Sequence, residues 1–316
     1  MLPTKMHTLI KETHIDFMSK GRLALILSLV VLVICVLSLL VRGLNLGLDF
    51  TGGTIIEVGY PGPIEVPQVR ETLQQAGFGD AQTQHFGTSS DVLIRIAPRE
   101  GLNSADISSQ LLNALRQGEN GTGVEMRRVE FVGPQVGDEL VEDGGLAMLY
   151  ALIGILIYVT LRFEWRLAVG TIAATIHDVV FTIGVFSLFQ IDFDLTVLAA
   201  VLAVIGYSVN DTVVVLDRIR ENFRKMRRGS VVEVMNASIN QTLSRTLMTS
   251  LTTLLAVIIL FLFGGPVMRD FSLALMIGIV VGTYSSIYIA SAGALLLGLS
   301  REDLLSRAKE EVDSRP

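Results

Sequence analysis

The 316-residue chain is half hydrophobic and only 18% charged, with a formal net charge of −6 and a mean hydropathy of +0.55. That balance excludes a wholly water-soluble protein of this length. The single cysteine, Cys35, lies in an apolar run, so no intrachain disulfide is available and an extracytoplasmic domain must stand on packing alone.

Six stretches meet the requirement of about 20 residues per membrane span: 23–41, 144–161, 167–189, 195–216, 247–263 and 271–298. The first, preceded by an N-terminal segment 1–22, is longer than the roughly 7–15 residues of a signal-peptide core. Val41-Arg42-Gly43-Leu44 offers no small-x-small cleavage pattern, so a retained signal anchor is expected. Basic residues set the orientation. Lys11, Lys20 and Arg22 precede the first span, and Arg162 and Arg166 join the second to the third. Arg218, Arg220, Arg224, Lys225, Arg227 and Arg228 fall in an expected basic loop at 217–246. The short opposite loops, 190–194 and 264–270, hold only Arg269, which predicts that both termini, including the tail 299–316, are cytoplasmic. Beside a membrane, the basic run reads as topogenic and lipid-facing rather than as a nucleic-acid site.

The segment 43–143 then lies outside the cytoplasm. Thr54-Ile55-Ile56-Glu57-Val58 is β-rich, 66–76 has helical spacing closed by Gly77, and strands at 81–86 and 91–97 flank Gly87-Thr88-Ser89-Ser90. Ser104 is a candidate N-cap for a helix over 105–117 ended by Gly118, and 124–132 is a last strand. The order β-α-β-β-α-β predicts one small ferredoxin-like α+β domain, core about 50–133, between the first and second of six transmembrane helices.

Several motifs now stand in order. Gly47-Leu48-Asp49-Phe50-Thr51-Gly52-Gly53-Thr54 follows the first span, and Phe131-Val132-Gly133-Pro134-Gln135-Val136-Gly137 leads into the second. Arg162-Phe163-Glu164-Trp165-Arg166 joins the second and third. Gly206-Tyr207-Ser208-Val209-Asn210-Asp211-Thr212-Val213-Val214 lies in the fourth, and Asp217-Arg218-Ile219-Arg220-Glu221-Asn222 ends it. Over nearly the whole chain these closely resemble the SecF family, the smaller chains of the bacterial SecD–SecF accessory complex for protein export. The resemblance implies a six-helix half of a transporter of the resistance-nodulation-division (RND) type, completed to twelve helices by SecD in the bacterial inner membrane. It also implies that the proton motive force is used to complete preprotein movement after the SecYEG channel, with YajC and YidC as further partners.

The residues themselves point the same way on energy. No Gly-x-x-x-x-Gly-Lys-Ser/Thr loop occurs, and no nucleophile elbow or metal-ligand cluster; His7, His14, His85 and His177 are scattered. No enzymatic activity and no cofactor are expected, which leaves an ion gradient. One charge crossing the membrane potential yields about 2.3 kcal/mol per 100 mV, enough to bias a two-state element more than tenfold.

Asp211 is the leading proton candidate, because a carboxylate facing lipid costs roughly 2.5–3.5 kcal/mol and is therefore expected to face a bundle interior. Asn210 beside it is a secondary candidate. The fourth span ends five residues later, which puts Asp211 about 8 Å deep. Arg245, the only charged residue between Glu233 and Arg269, stands at matching depth as its electrostatic partner. The competing reading is a static Asp–Arg pair that locks helices. Asp178, next to His177 in the third span, is a further proton candidate, with interhelix hydrogen bonding as its alternative.

Gly278, Gly282, Ser286, Ala290, Ala294 and Gly298 place a small residue at every fourth position of the last span, which allows close helix approach. Ala199, Ala203, Tyr207 and Asp211 share that spacing and are expected on one inward face. Three function classes result: a proton-driven export accessory, half of a proton-driven small-molecule efflux transporter, and a passive assembly scaffold. A single external domain of about 90 residues fits the first better than the second.

Overall fold

The computed structural model describes residues 13–99, 104–118, 122–226 and 228–301. Helix α1 (Gly21–Arg42) leads into a two-residue strand β1 (Asn45–Leu46) and a single turn α2 (Leu48–Thr51). Strand β2 (Gly53–Gly59), helix α3 (Val66–Gln75), strands β3 (Gln82–Phe86) and β4 (Thr88–Ile96), helix α4 (Ser104–Gln117) and strand β5 (Glu125–Val132) follow. The rest is helical: α5 (Pro134–Arg162), α6 (Trp165–Phe189), a short strand β6 (Asp192–Phe193), α7 (Leu195–Lys225) and α8 (Val231–Phe263). Helix α9 (Gly265–Ser285) continues through a π turn at Ser286–Ala290 into α10 (Ser291–Leu296).

Strands β2 to β5 form one antiparallel sheet in the order β3-β4-β2-β5. Period-two alternation turns Ile56 and Val58 of β2, with Val92, Ile94 and Ile96 of β4, to one face. There they meet Val69 and Leu73 of α3 and Ile107, Leu111 and Leu115 of α4, which gives the small domain a core of its own. The connection expected over Gly87–Ser90 is tighter: β4 begins at Thr88, and Gly87, at φ 81°, makes the turn. Ser104 is already the first residue of α4, so its cap lies outside the described residues.

Six helical segments among the described residues are long and apolar enough to cross a membrane. Three of them, α6, α7 and the α9–α10 rod, bury half or more of their most apolar stretch and form the centre, while α1, α5 and α8 stay largely exposed. Close approach requires glycine at specific points. A Cβ on Gly278 would overlap the Val204 side chain, and one on Gly170 would come within 2.5 Å of the Ala290 carbonyl oxygen.

Two expectations about helix extent are corrected. The segment 217–246, read as a basic loop, is helical except around the turn between Lys225 and Val231. The turn is set by a reciprocal cap: Ser230 Oγ accepts from Glu233 N at 3.2 Å and Glu233 Oε2 accepts from Ser230 N at 2.8 Å. Polar sequence ended the apolar count without ending the helix. Likewise α5 starts at Pro134, ten residues before the apolar run, because proline is well suited to a first helical turn.

The small-residue stripe of the last span stays buried from Gly278 through Ala294. Four residues of α-helix turn about 400°, so such a stripe drifts by about 40° per step. The π turn accommodates an extra residue and turns the stripe back toward α6 and α7. In α7, which has no such turn, the drift is uncorrected. Ala199 and Ala203 are exposed and Tyr207 is half-buried, while Asp211 alone of that set is buried.

Candidate functional site

Asp211 sits midway along α7, 3% exposed, with its carboxylate toward α8. Ser250 Oγ donates to its Oδ2 at 3.3 Å, long for an O–H···O bond, whose usual distance is about 2.7–2.8 Å. Ser250 also shares a 2.7 Å hydrogen bond with Thr283 of α9 and receives one from the Tyr207 hydroxyl at 3.4 Å. Thr249 and Arg245, also on α8, act on the same carboxylate, the arginine through its charge at a distance. Asp211 is therefore buried but lightly held, within a cluster of hydroxyl groups from three helices.

Asp178 is held differently. It is fully buried on α6 and accepts from Ser208 of α7 and, at 2.7 Å, from Ser285 of α9, both on Oδ2. His177 Nδ1 lies 2.9 Å from the other oxygen, Oδ1. The imidazole in turn stands near the rings of Phe181 and Tyr284. Both oxygens are thus occupied, and the three central helices meet at this one side chain.

The other expected residues divide. Gly282 faces Ser208, and a Cβ there would sit 3.2 Å from the serine Cβ, so the glycine lets the Ser208–Asp178 bond form. Ser286 does more than pack: its hydroxyl bonds Thr212 of α7 at 2.8 Å. Gly278 and Ala290 are close-contact positions, as above. Asn210 is exposed on the side of α7 away from Asp211, so the two are not brought together. Arg245 is exposed on α8 and, among the described residues, forms no ion pair with Asp211 such as the competing static lock would require.

Ser208, Thr249, Ser250, Thr283 and Ser285 were not singled out from sequence. One signal was present: Thr246, Thr249, Ser250 and Thr253 recur every three or four residues in an otherwise apolar helix, which draws a polar stripe along one face. The serines on Asp178 have no such pattern, because each is a single hydroxyl on a different helix. Among the described residues no three His, Cys, Asp or Glu side chains converge as a metal site would require.

The comparison with known proteins follows this architecture closely. Residues 113–300 match the family described as "Protein export membrane protein SecD/SecF, C-terminal", and residues 37–60, which include Gly52 and Gly53, match the "SecD/SecF GG Motif". The chain is 53% identical to "Protein translocase subunit SecF" of Vibrio alginolyticus over 96% of its own length and 98% of that protein's. It is 48% identical to the protein of the same name from Escherichia coli O157:H7, over 94% and 92% of the two chains. Its fold superposes on crystalline SecDF from Thermus, a translocon-associated membrane protein, with a TM-score of 0.81 at 37% identity. That superposition covers 91% of this chain and 39% of the Thermus chain, so the chain spans well under half of SecDF. Matching motifs, near full-length identity and a shared helix bundle lead to one assignment: the chain belongs to the SecD/SecF family of protein-export membrane proteins, as a SecF-type subunit.

Proposed function

We propose that this chain is the SecF half of an accessory complex of the Sec pathway, which works with SecD and uses the proton motive force to promote preprotein translocation across the bacterial inner membrane. The observation that carries the energetic part is the contrast between the two buried carboxylates. Asp178 is saturated by bonds from three elements and serves as a hub, whereas Asp211 is held only by two hydroxyls of a single neighbouring helix, Ser250 at 3.3 Å and Thr249, a state in which adding or removing a proton changes few contacts. Arg245, set off from it, biases that exchange through its field.

SecD is the expected partner on physical grounds as well as by family. Asn210 of α7 and Arg245 of α8 are exposed polar groups in a membrane-embedded region, where lipid satisfies them poorly. SecYEG supplies the channel in this reading, with YajC and YidC as further neighbours and the preprotein as cargo. The chain acts as an energy-coupling subunit and not as an enzyme, and it needs no cofactor.

Basic-residue asymmetry supports both termini in the cytoplasm and 43–143 on the other side. The β-α-β-β-α-β order and the central pairing of β2 between β4 and β5 support a ferredoxin-like domain there. Gradient-dependent completion of preprotein export in vesicles tests the proposal. Asp211→Asn, confirmed to assemble with SecD, is expected to lose the response to the proton gradient. Full retention would replace the proton-driven reading with the passive scaffold.

A further inference from the structure

The motif around Gly52 and Gly53 has no role in the proton site, yet its geometry connects to the same helix. The N-terminus of α7 meets two carboxylates. Asp194, its own N-cap, accepts from Val197 N at 2.8 Å, as helix starts commonly arrange. Asp49, 146 positions earlier in the chain, accepts from Leu195 N at 3.0 Å through Oδ2.

Asp49 is fixed from both sides. Before it, β1 pairs in parallel with β6 (Asn45 with Asp192, Leu46 with Phe193), and Gly47 N donates to Phe193 O at 2.7 Å. A Cβ on Gly47 would lie 2.8 Å from the Asp194 Cβ, so the chain passes α7 at backbone contact. After it, Phe50 stacks on Phe193 and Gly53, at φ 121°, starts β2 against the Ile96 carbonyl of β4. Arg95 of β4 also reaches back to the Leu46 carbonyl at 3.2 Å. Three residues thus separate the side chain bound to α7 from a central strand of the external sheet.

Helix α7 has no proline between Leu195 and Lys225, and Asp211 lies sixteen residues, about 24 Å, along the same rod from the Asp49 contact. We infer that Asp49 is a positioning residue that couples the proton helix to the external domain: the Asn45–Gly53 segment is a strut that carries displacement of α7 into strand β2. The β1–β6 ladder holds the loop before the helix, and Asp49 is the member that grips the helix itself. This inference rests on Asp211 as the proton carrier.

The test uses the full chain assembled with SecD, labelled in two places. One pair of probes, at Gln75 and Phe263, reports the external domain against the outer end of α8; a second, at Ala199 and Leu255, reports movement within the bundle. In the unaltered protein both distances are expected to shift between acidic and alkaline pH. Asp49→Ala is expected to keep the bundle shift and lose most of the external one, and Asp49→Asn, which retains an accepting oxygen, to restore it. If Asp49→Ala does not assemble, Asp49→Ser, too short to reach the Leu195 amide, is read in the same way. External movement that persists in Asp49→Ala or Asp49→Ser overturns the strut, as does an unaltered protein in which only the bundle probes respond. If Asp211→Asn leaves both shifts unchanged, the proton-carrier reading fails and the inference falls with it.

Discussion

Gly278 of α9 lies against Val204 of α7 so closely that a Cβ on the glycine would overlap the valine side chain. The contact brings together the two helices that contribute Ser285 and Ser208 to Asp178. Gly278→Ala must therefore move Val204 or the helices, at a cost of about 1–3 kcal/mol, as overpacking usually does. The pair is complementary, so Val204→Ala should recover most of the loss. Unfolding in mild detergent checks it; a double variant no better than Gly278→Ala alone would place the cost elsewhere.

The two buried carboxylates should separate in a stability experiment. Asp178→Ala strands the Ser208 hydroxyl and the His177 imidazole among three helices, while Ser285 keeps the Gly282 carbonyl, and each buried group left unpaired costs about 1–3 kcal/mol. Asp211→Ala removes only its contacts with the hydroxyls of Ser250, at 3.3 Å, and Thr249, and both keep other partners: Ser250 the Thr283 hydroxyl, Thr249 the carbonyls of its own helix. The expected order is a large destabilisation for Asp178→Ala and a small one for Asp211→Ala, measured by unfolding of the purified chain. The reverse order would make Asp211 the structural hub.

How much of this was legible follows from which signals are local. Asp211 stood out because an isolated carboxylate in an apolar run has few places to go, and the structure buries it. Its hydroxyl partners come from α8 and are backed by Thr283 of α9, and no one-dimensional pattern pairs Ser250 with Thr283. The stripe from Ala199 to Asp211 failed through accumulated helical drift. The stripe from Gly278 to Ala294 held only through a π turn that leaves no mark in composition. The basic segment at 217–246 misled for a different reason: hydropathy marks where a helix leaves the apolar layer, whereas Ser230 and Glu233 mark where the next begins.

Tyr60 offers a pH test confined to the small domain. Burial pushes its phenol up to about 12 from the ordinary value of 10.0. Because the folded value lies above the unfolded one, this group's contribution to stability is complete below pH 10.0 and is lost as pH rises through about 12. Phenolate absorbance should show Tyr60 ionising later than an exposed tyrosine. Tyr60→Phe should remove the part of alkaline unfolding that this group causes; an unchanged alkaline transition would assign it to other residues.

Arg245 separates action through charge from action through contact. An arginine that holds a carboxylate does so with a planar fork that lysine cannot reproduce. Here Arg245 is exposed and, among the described residues, has no ion pair with Asp211, so its influence is that of a positive charge nearby. Arg245→Lys preserves that charge, and Arg245→Gln removes it while keeping a polar side chain of similar reach. In gradient-dependent preprotein export, with each variant confirmed to assemble with SecD, Arg245→Lys should retain most of the response and Arg245→Gln should lose it. Equal loss in both would show that the fork itself is needed, and hence that Arg245 closes on a carboxylate during the working cycle. Full activity in both would remove Arg245 from the proton site and leave Asp211 to act with Ser250 and Thr249 alone.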